Sequence, residues 1–155
     1  MTLKIGDKAP DFTLPKQDGT PVRLQDLLQK TAVVLYFYPK DDTPGCTAQA
    51  CSFRDSYEAF KEAGAEVVGI SSQSTASHES FSSRHRLPFT LVSDEGAKVR
   101  KEYGVPSTLG LLPGRVTYVI DREGTIRHIF NSQFNAKRHV TEALGVIQQL
   151  QQPRS

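Results

Sequence analysis

Thr31-Ala-Val-Val-Leu-Tyr-Phe-Tyr-Pro-Lys-Asp-Asp-Thr-Pro-Gly-Cys46 is the stretch that decides the fold of this chain. Its first eight residues are apolar almost throughout and rich in β-branched and aromatic side chains. That composition marks a central strand buried on both faces. Pro39 stops the strand, and a turn rich in Pro, Gly and Asp leads to Cys46. From Thr47 to about Glu62 the period changes. Phe53, Tyr57 and Phe60 fall at i, i+4 and i+7, one helical stripe, and seven residues further back that stripe reaches Cys46. Active sites in open α/β sheets lie beyond the carboxyl ends of strands. A thiol that follows such a strand and opens the next helix is therefore the first candidate for chemistry.

Outward from this unit the elements read as mixed α/β. Phe12–Leu14 and Pro21–Arg23 flank Asp18-Gly19 as a small hairpin, with a helical turn over Leu24–Leu28. Gly64 ends the helix, and Ala65–Ile70 is the next strand. A loop over Ser71–Ser77 leads to a short helix at Glu79–His85, an extended piece at Pro88–Val92 and a helical turn at Gly96–Tyr103. Arg115–Ile120 and Thr125–Phe130 form a second hairpin around Asp121-Arg-Glu-Gly124. A last helix carries Val140, Ala143, Leu144, Ile147 and Leu150, and its Gln-rich end from Gln148 is expected to fray. This order implies an α/β fold, a sheet covered by helices on both faces. Without internal repeats or a linker, residues 1–155 are expected to form a single domain.

Composition removes several function classes. The 155 residues carry 19 basic and 17 acidic side chains, a formal charge of +2, which makes no electrostatic case for nucleic acid or an anionic membrane. No apolar run approaches the roughly 20 residues that span a bilayer. The N-terminus has no apolar core of a secretory signal. The expected location is cytoplasmic, or an organelle if a transit peptide has been removed. Two cysteines are too few for a secreted disulfide scaffold, and lasting disulfides are uncommon in a reducing cytosol.

Those two cysteines, Cys46 and Cys51, lie five residues apart. A thiol reacts as its thiolate. Three features favour the anion at Cys46: the free N–H groups and dipole of a helix start; Arg115, on a strand that can pair beside residues 31–38; and the Thr43 hydroxyl, within reach of the sulfur or of a substrate oxygen. Pro39 and Pro44 restrict the backbone and shield the site from water. The plainer reading of a free cysteine is a small core hydrophobe, but the helix-start position, the polar turn and the second thiol weigh against it. Zinc needs about four ligands, no third cysteine exists, and the four histidines have no ligand spacing and read as surface residues. Cys51 is either a resolving thiol or a buried helical cysteine. Within one intact helix the two Cα atoms stand roughly 9 Å apart, beyond the approximately 7 Å that a disulfide tolerates. Pairing therefore requires local unwinding.

These residues resemble the peroxiredoxins, in particular the bacterioferritin-comigratory or peroxiredoxin Q subfamily. The likeness runs from Gly6-Asp-Lys-Ala-Pro-Asp-Phe12 through Phe37–Thr47 to Ser93-Asp-Glu-Gly, Lys101-Glu-Tyr-Gly-Val105 and Gly114-Arg-Val-Thr-Tyr-Val-Ile-Asp121. The family's Pro-x-x-x-Thr/Ser-x-x-Cys motif falls on Pro39, Thr43 and Cys46. The resemblance implies a thioredoxin-like fold, a central mixed β-sheet flanked by helices with an N-terminal β-hairpin extension. It implies peroxide reduction without metal, flavin or haem. Cys46 would be the peroxidatic cysteine, with Thr43 and Arg115 completing its pocket and Pro39 shielding it. Cys51 would be the resolving cysteine, forming an intrachain disulfide with Cys46. The implied partners are small peroxides and thioredoxin or a similar dithiol, and the implied state is a monomer. One position departs from the family: Gln49 stands where Glu is frequent, so the group that holds the arginine carries no charge. Two other functions compete. One is a general thiol–disulfide oxidoreductase, although such enzymes typically use Cys-x-x-Cys. The other is a non-enzymatic binding module remodelled by closure of Cys46–Cys51.

Overall fold

The long apolar run becomes the middle of a five-stranded sheet. A computed structural model describes residues 3–105, 107–108, 112–132 and 135–151. In chain order the elements are β1 (Thr13–Pro15), β2 (Pro21–Arg23), α1 (Leu24–Leu28), β3 (Ala32–Phe37), α2 (Pro44–Asp55), α3 (Tyr57–Glu62), β4 (Ala65–Ser71) and α4 (Thr75–His85). They continue with β5 (Thr90–Ser93), α5 (Lys98–Tyr103), β6 (Ser107–Thr108), β7 (Leu112–Pro113), β8 (Val116–Ile120), β9 (Ile126–Asn131) and α6 (Ala136–Gln151). The main sheet has the order β5-β4-β3-β8-β9. β3, β4 and β5 run parallel, and β8 and β9 are antiparallel additions on the other side. β1 and β2 form the N-terminal hairpin. This is the thioredoxin-like mixed sheet with its hairpin extension.

The alternation of β3 divides the core in two. Val34 and Tyr36, with Tyr38 just beyond the strand, join Phe53, Phe60, Phe81, Val140 and Ile147 under α2, α3, α4 and α6. Val33, Leu35 and Phe37 join Leu24, Leu28, Val99 and Tyr103 under α1 and α5. All six β3 residues are buried, because helices cover both faces. Tyr36 stacks on Phe53 with ring centroids 4.5 Å apart. A side chain on Gly69 of β4 would meet the Tyr36 ring and Leu91 at 2.7–2.9 Å, so only glycine admits this stack.

Most boundaries shift by a residue or two, and three differences in the helices have a visible cause. The helix expected over Thr47–Glu62 begins at Pro44 and breaks at Ser56, whose N–H reaches the carbonyls of both Ser52 and Phe53 at 3.2 Å. The break turns Tyr57 partly out of the stripe: Phe53 and Phe60 are fully buried, while Tyr57 is half-buried and its hydroxyl donates to Glu66 at 3.1 Å. α4 starts four residues before Glu79, because Ser74 caps it by accepting the Ser77 N–H at 3.1 Å. The C-terminal helix stays ordered through Gln151, whose amide donates to the Glu62 carbonyl at 2.9 Å. The rest of the segment expected to fray lies outside the described residues.

Candidate active site

The turn after β3 delivers Cys46 to the third position of α2. Thr43 is the extended residue ahead of the helix and Pro44 its first residue, where the missing N–H costs nothing. The first helical bond runs from the Thr47 N–H to the Thr43 carbonyl, 2.8 Å. The N–H groups of Gly45 and Cys46 precede it and remain at the helix end, where they favour an anion. Cys46 itself is only 1% exposed.

Pairing of β3 with β8 then brings in the cation. The register sets Phe37 opposite Val116, so Arg115 stands level with the end of β3. Its Nη2 donates to Cys46 Sγ at 3.3 Å and its Nη1 to Gln49 Oε1 at 2.5 Å. Gln49 lies three residues after Cys46 on one helical face, so a single planar fork grips both. Arg115 and Gln49 are buried, which strengthens each contact. A Cβ on Gly45 would stand 3.0 Å from Arg115 Nη2, so the glycine makes room for the guanidinium.

The other expected residues fall nearby in different roles. The Thr43 hydroxyl donates to the Lys40 carbonyl at 3.1 Å, closing the turn, and its proton is not directed at the sulfur. Pro39 is half-buried and follows Tyr38, whose carbonyl accepts from Arg100 Nη2 at 3.2 Å. Cys51 sits in mid-helix, half-buried, and both thiols are free. Its sulfur is 4.0 Å from His85 Nδ1.

The histidines correct the sequence reading. His78 and His139 are fully buried, not on the surface. His78 meets the Asp41 carboxylate at 2.8 Å and the Val92 carbonyl at 3.0 Å. Asp41 also accepts from Tyr38 at 2.6 Å and from Ser77 at 2.8 Å. Burial alone would push the Asp41 carboxyl up, but the bonds from His78 and Tyr38 outweigh it and hold it below its ordinary value. This network fixes the loop between Pro39 and Thr43. His139 lies between the Thr117 hydroxyl and the Ser132 carbonyl, both at 2.7 Å. Burial first, and the nearby Arg115 charge, push it down to about 4, against a bond to the Ser132 carbonyl that raises it. These partners lie 7 to 37 residues away in the chain, so spacing gave no signal for either ring.

Thioredoxin-fold thiol enzymes hold their reactive sulfur where this chain holds Cys46, at the start of the helix that follows the central strand, and that is the class to which fold and site point. The AhpC/TSA family model matches residues 5–129. The chain is 59% identical over 146 residues to the chloroplastic peroxiredoxin Q of Triticum aestivum, covering 94% of this chain and 67% of that protein. The chloroplastic peroxiredoxin Q of Sedum lineare is 58% identical, with 94% and 78% covered. The crystal structure of peroxidoxin BcpB from Mycobacterium tuberculosis superposes with a TM-score of 0.90 at 39% identity, covering 99% of each chain. The chain belongs to the peroxiredoxins, in the peroxiredoxin Q and bacterioferritin-comigratory branch, and is a thiol peroxidase.

Proposed function

We propose that Cys46 is the peroxidatic thiol, Arg115 its charge partner and Cys51 the resolving thiol of an intrachain cycle. The observation that carries this reading is the Arg115 guanidinium donating to Cys46 Sγ at 3.3 Å at a helix start. The Cys46 thiolate attacks one peroxide oxygen in line. The O–O bond breaks, an S–O bond forms, and the departing hydroxide or alkoxide takes a proton to leave as water or alcohol. Charge grows on that leaving oxygen, where the Arg115 fork and the Gly45 and Cys46 N–H groups stabilise it. Gln49 holds the fork in plane without adding charge. Pro39 and the network at Asp41 keep the loop closed over the sulfur.

Cys46 is left as a sulfenic acid. The Cys51 sulfur attacks it, the thiol proton leaves with the sulfenic hydroxyl as water, and a disulfide forms. An external dithiol, thioredoxin in our reading, then reduces it by exchange. The substrates are hydrogen peroxide and small organic hydroperoxides, and the compartment is a reducing one, the cytoplasm or an organelle. A monomer of a single domain is supported by the surface, since Ile5 is the one large exposed hydrophobic among the described residues.

Peroxide consumption with thioredoxin tests the reading. Cys46→Ser is expected to abolish reaction with peroxide. Cys51→Ser is expected to form one equivalent of sulfenic acid, stop turning over with thioredoxin, and over-oxidise faster. Normal consumption by the Cys46 variant would refute the assignment.

A further inference from the structure

Cys51 has one hydrogen-bonding side chain beside it among the described residues, and that side chain is a base. Its sulfur lies 4.0 Å from Nδ1 of His85, the last residue of α4. This is the outer reach of an S–H···N bond, and a nucleophile and its base stand looser before reaction than during it. The pair is held from three sides. Arg54, three residues beyond Cys51, donates through Nη1 to the His85 carbonyl at 2.9 Å and ties α2 to the end of α4 beside the thiol. Phe81 packs edge-on to the imidazole, with ring centroids 5.0 Å apart. Arg86 takes a left-handed conformation, φ 51°, and ends α4 directly after His85. The imidazole is half-buried rather than sealed off, so a proton it receives can pass on to water. Peroxide attack at Cys46 makes no use of this ring. Resolution does need a base, because a thiol attacks as its thiolate and the proton of Cys51 has to be taken.

We propose that His85 is the general base of the resolving step. This rests on Cys51 being the resolving thiol. The S–H bond of Cys51 breaks and its proton moves to Nδ1, the ring's own proton resting on Nε2. The thiolate attacks Cys46, and the S–S bond forms as the S–O bond of the sulfenic acid breaks. The departing hydroxide takes a proton from the imidazolium, directly or through water, and leaves as water, which returns the ring to its neutral form. The Arg54 bond and the buried Phe53 hold α2 beyond Cys51, so opening of the helix start carries Cys46 to a thiol that stays beside His85. The other charged groups around the pair are Arg54, bonded to Asp55 at 3.0 Å on α2, Arg84 of α4, bonded to Asp42 at 2.6 Å, and the exposed Arg86. Both carboxylates are thus engaged by arginines. Burial pushes the Tyr36 and Tyr38 phenols under α2 and α4 well up, and both keep their protons.

Two variants separate proton transfer from packing. His85→Asn keeps a short polar group near the position of Nδ1 and cannot take a proton. His85→Ala leaves room for free imidazole. The chain has no tryptophan, so a single turnover with one equivalent of hydrogen peroxide is stopped in acid and the masses of sulfenic acid and disulfide are followed with time. In His85→Asn, sulfenic acid is expected to form at the parent rate and the disulfide about tenfold more slowly at pH 7, a loss limited by the few per cent of a free thiol already ionised there. The deficit is expected to close above about pH 9, where a free thiol ionises unaided. Added imidazole is expected to restore several-fold in His85→Ala, and that arm stands alone if the Asn variant does not fold. Disulfide formation at the parent rate in His85→Asn at pH 7 would overturn the proposal. So would a slow step that neither pH nor imidazole recovers, since that is the mark of packing alone. A Cys51→Ser protein that still turned over with thioredoxin would instead overturn the reading beneath it, whatever the His85 variants do.

Discussion

Closing the Cys46–Cys51 disulfide is expected to loosen this protein, the reverse of what a structural bridge does. Both cysteines lie within the single helix α2, Pro44–Asp55. Five residues of helix give a rise of about 7.5 Å and a Cα separation of roughly 9 Å, while a disulfide accepts less than about 7 Å. The helix must unwind between them. A cross-link over a six-residue loop restricts the unfolded chain by only about 2 kcal/mol. Against this stands the bond from Arg115 to Cys46, a charge-assisted contact of about 1.5–3 kcal/mol. Two or three helical bonds add about 1 kcal/mol each. If unwinding also frees the buried Phe53 from its stack on Tyr36, about 1.5–3 kcal/mol of burial goes with it. The disulfide form should therefore be less stable than the dithiol form by about 2–4 kcal/mol with the Phe53 stack intact, and by about 3–7 kcal/mol if the stack opens. Urea unfolding of both redox forms reads the difference. Amide exchange reads its location, with faster exchange expected across residues 44–54 in the oxidised protein. Equal protection and a higher urea midpoint on oxidation would refute the reasoning, because the thiols would then pair without opening the helix.

Further outcomes follow from the same site. Arg115→Lys is expected to slow peroxide attack at least tenfold, since a point charge cannot bridge sulfur and amide together; its unfolding free energy should fall by about 1–2 kcal/mol as buried Gln49 loses its donor. Gly45→Ala is expected to push the guanidinium back by a few tenths of an ångström and cost several-fold in the stopped-flow rate, with the urea midpoint nearly unchanged. His139, pushed down to about 4 from an ordinary 6.5, gives stability that is complete above pH 6.5 and lost as the pH falls towards 4, because the unfolded chain takes up the proton first. That loss is roughly 3 kcal/mol, and urea midpoints between pH 7 and 4 should show a slope that His139→Asn flattens.

The sequence by itself determined the strand at residues 31–38, the thiol at the start of the following helix and the companion thiol one and a half turns on. These are local facts: an apolar run, a stop at Pro39 and a helical period anchored at Phe53 and Phe60. Arg115, at the start of a strand able to pair beside residues 31–38, is already a candidate cation in the sequence, and the resemblance gives it its place in the pocket. Only the tertiary structure decided that one guanidinium spans Cys46 and Gln49, 69 and 66 residues away. It also decided that Thr43 bonds Lys40, that His78 and His139 are interior, and that Arg100 carries its charge under the end of β3. The physical reason is the reach of the forces. Strand and helix patterns follow from burial within a few neighbouring residues. A buried polar side chain has its partner chosen by strand register and helix packing, which no local period records.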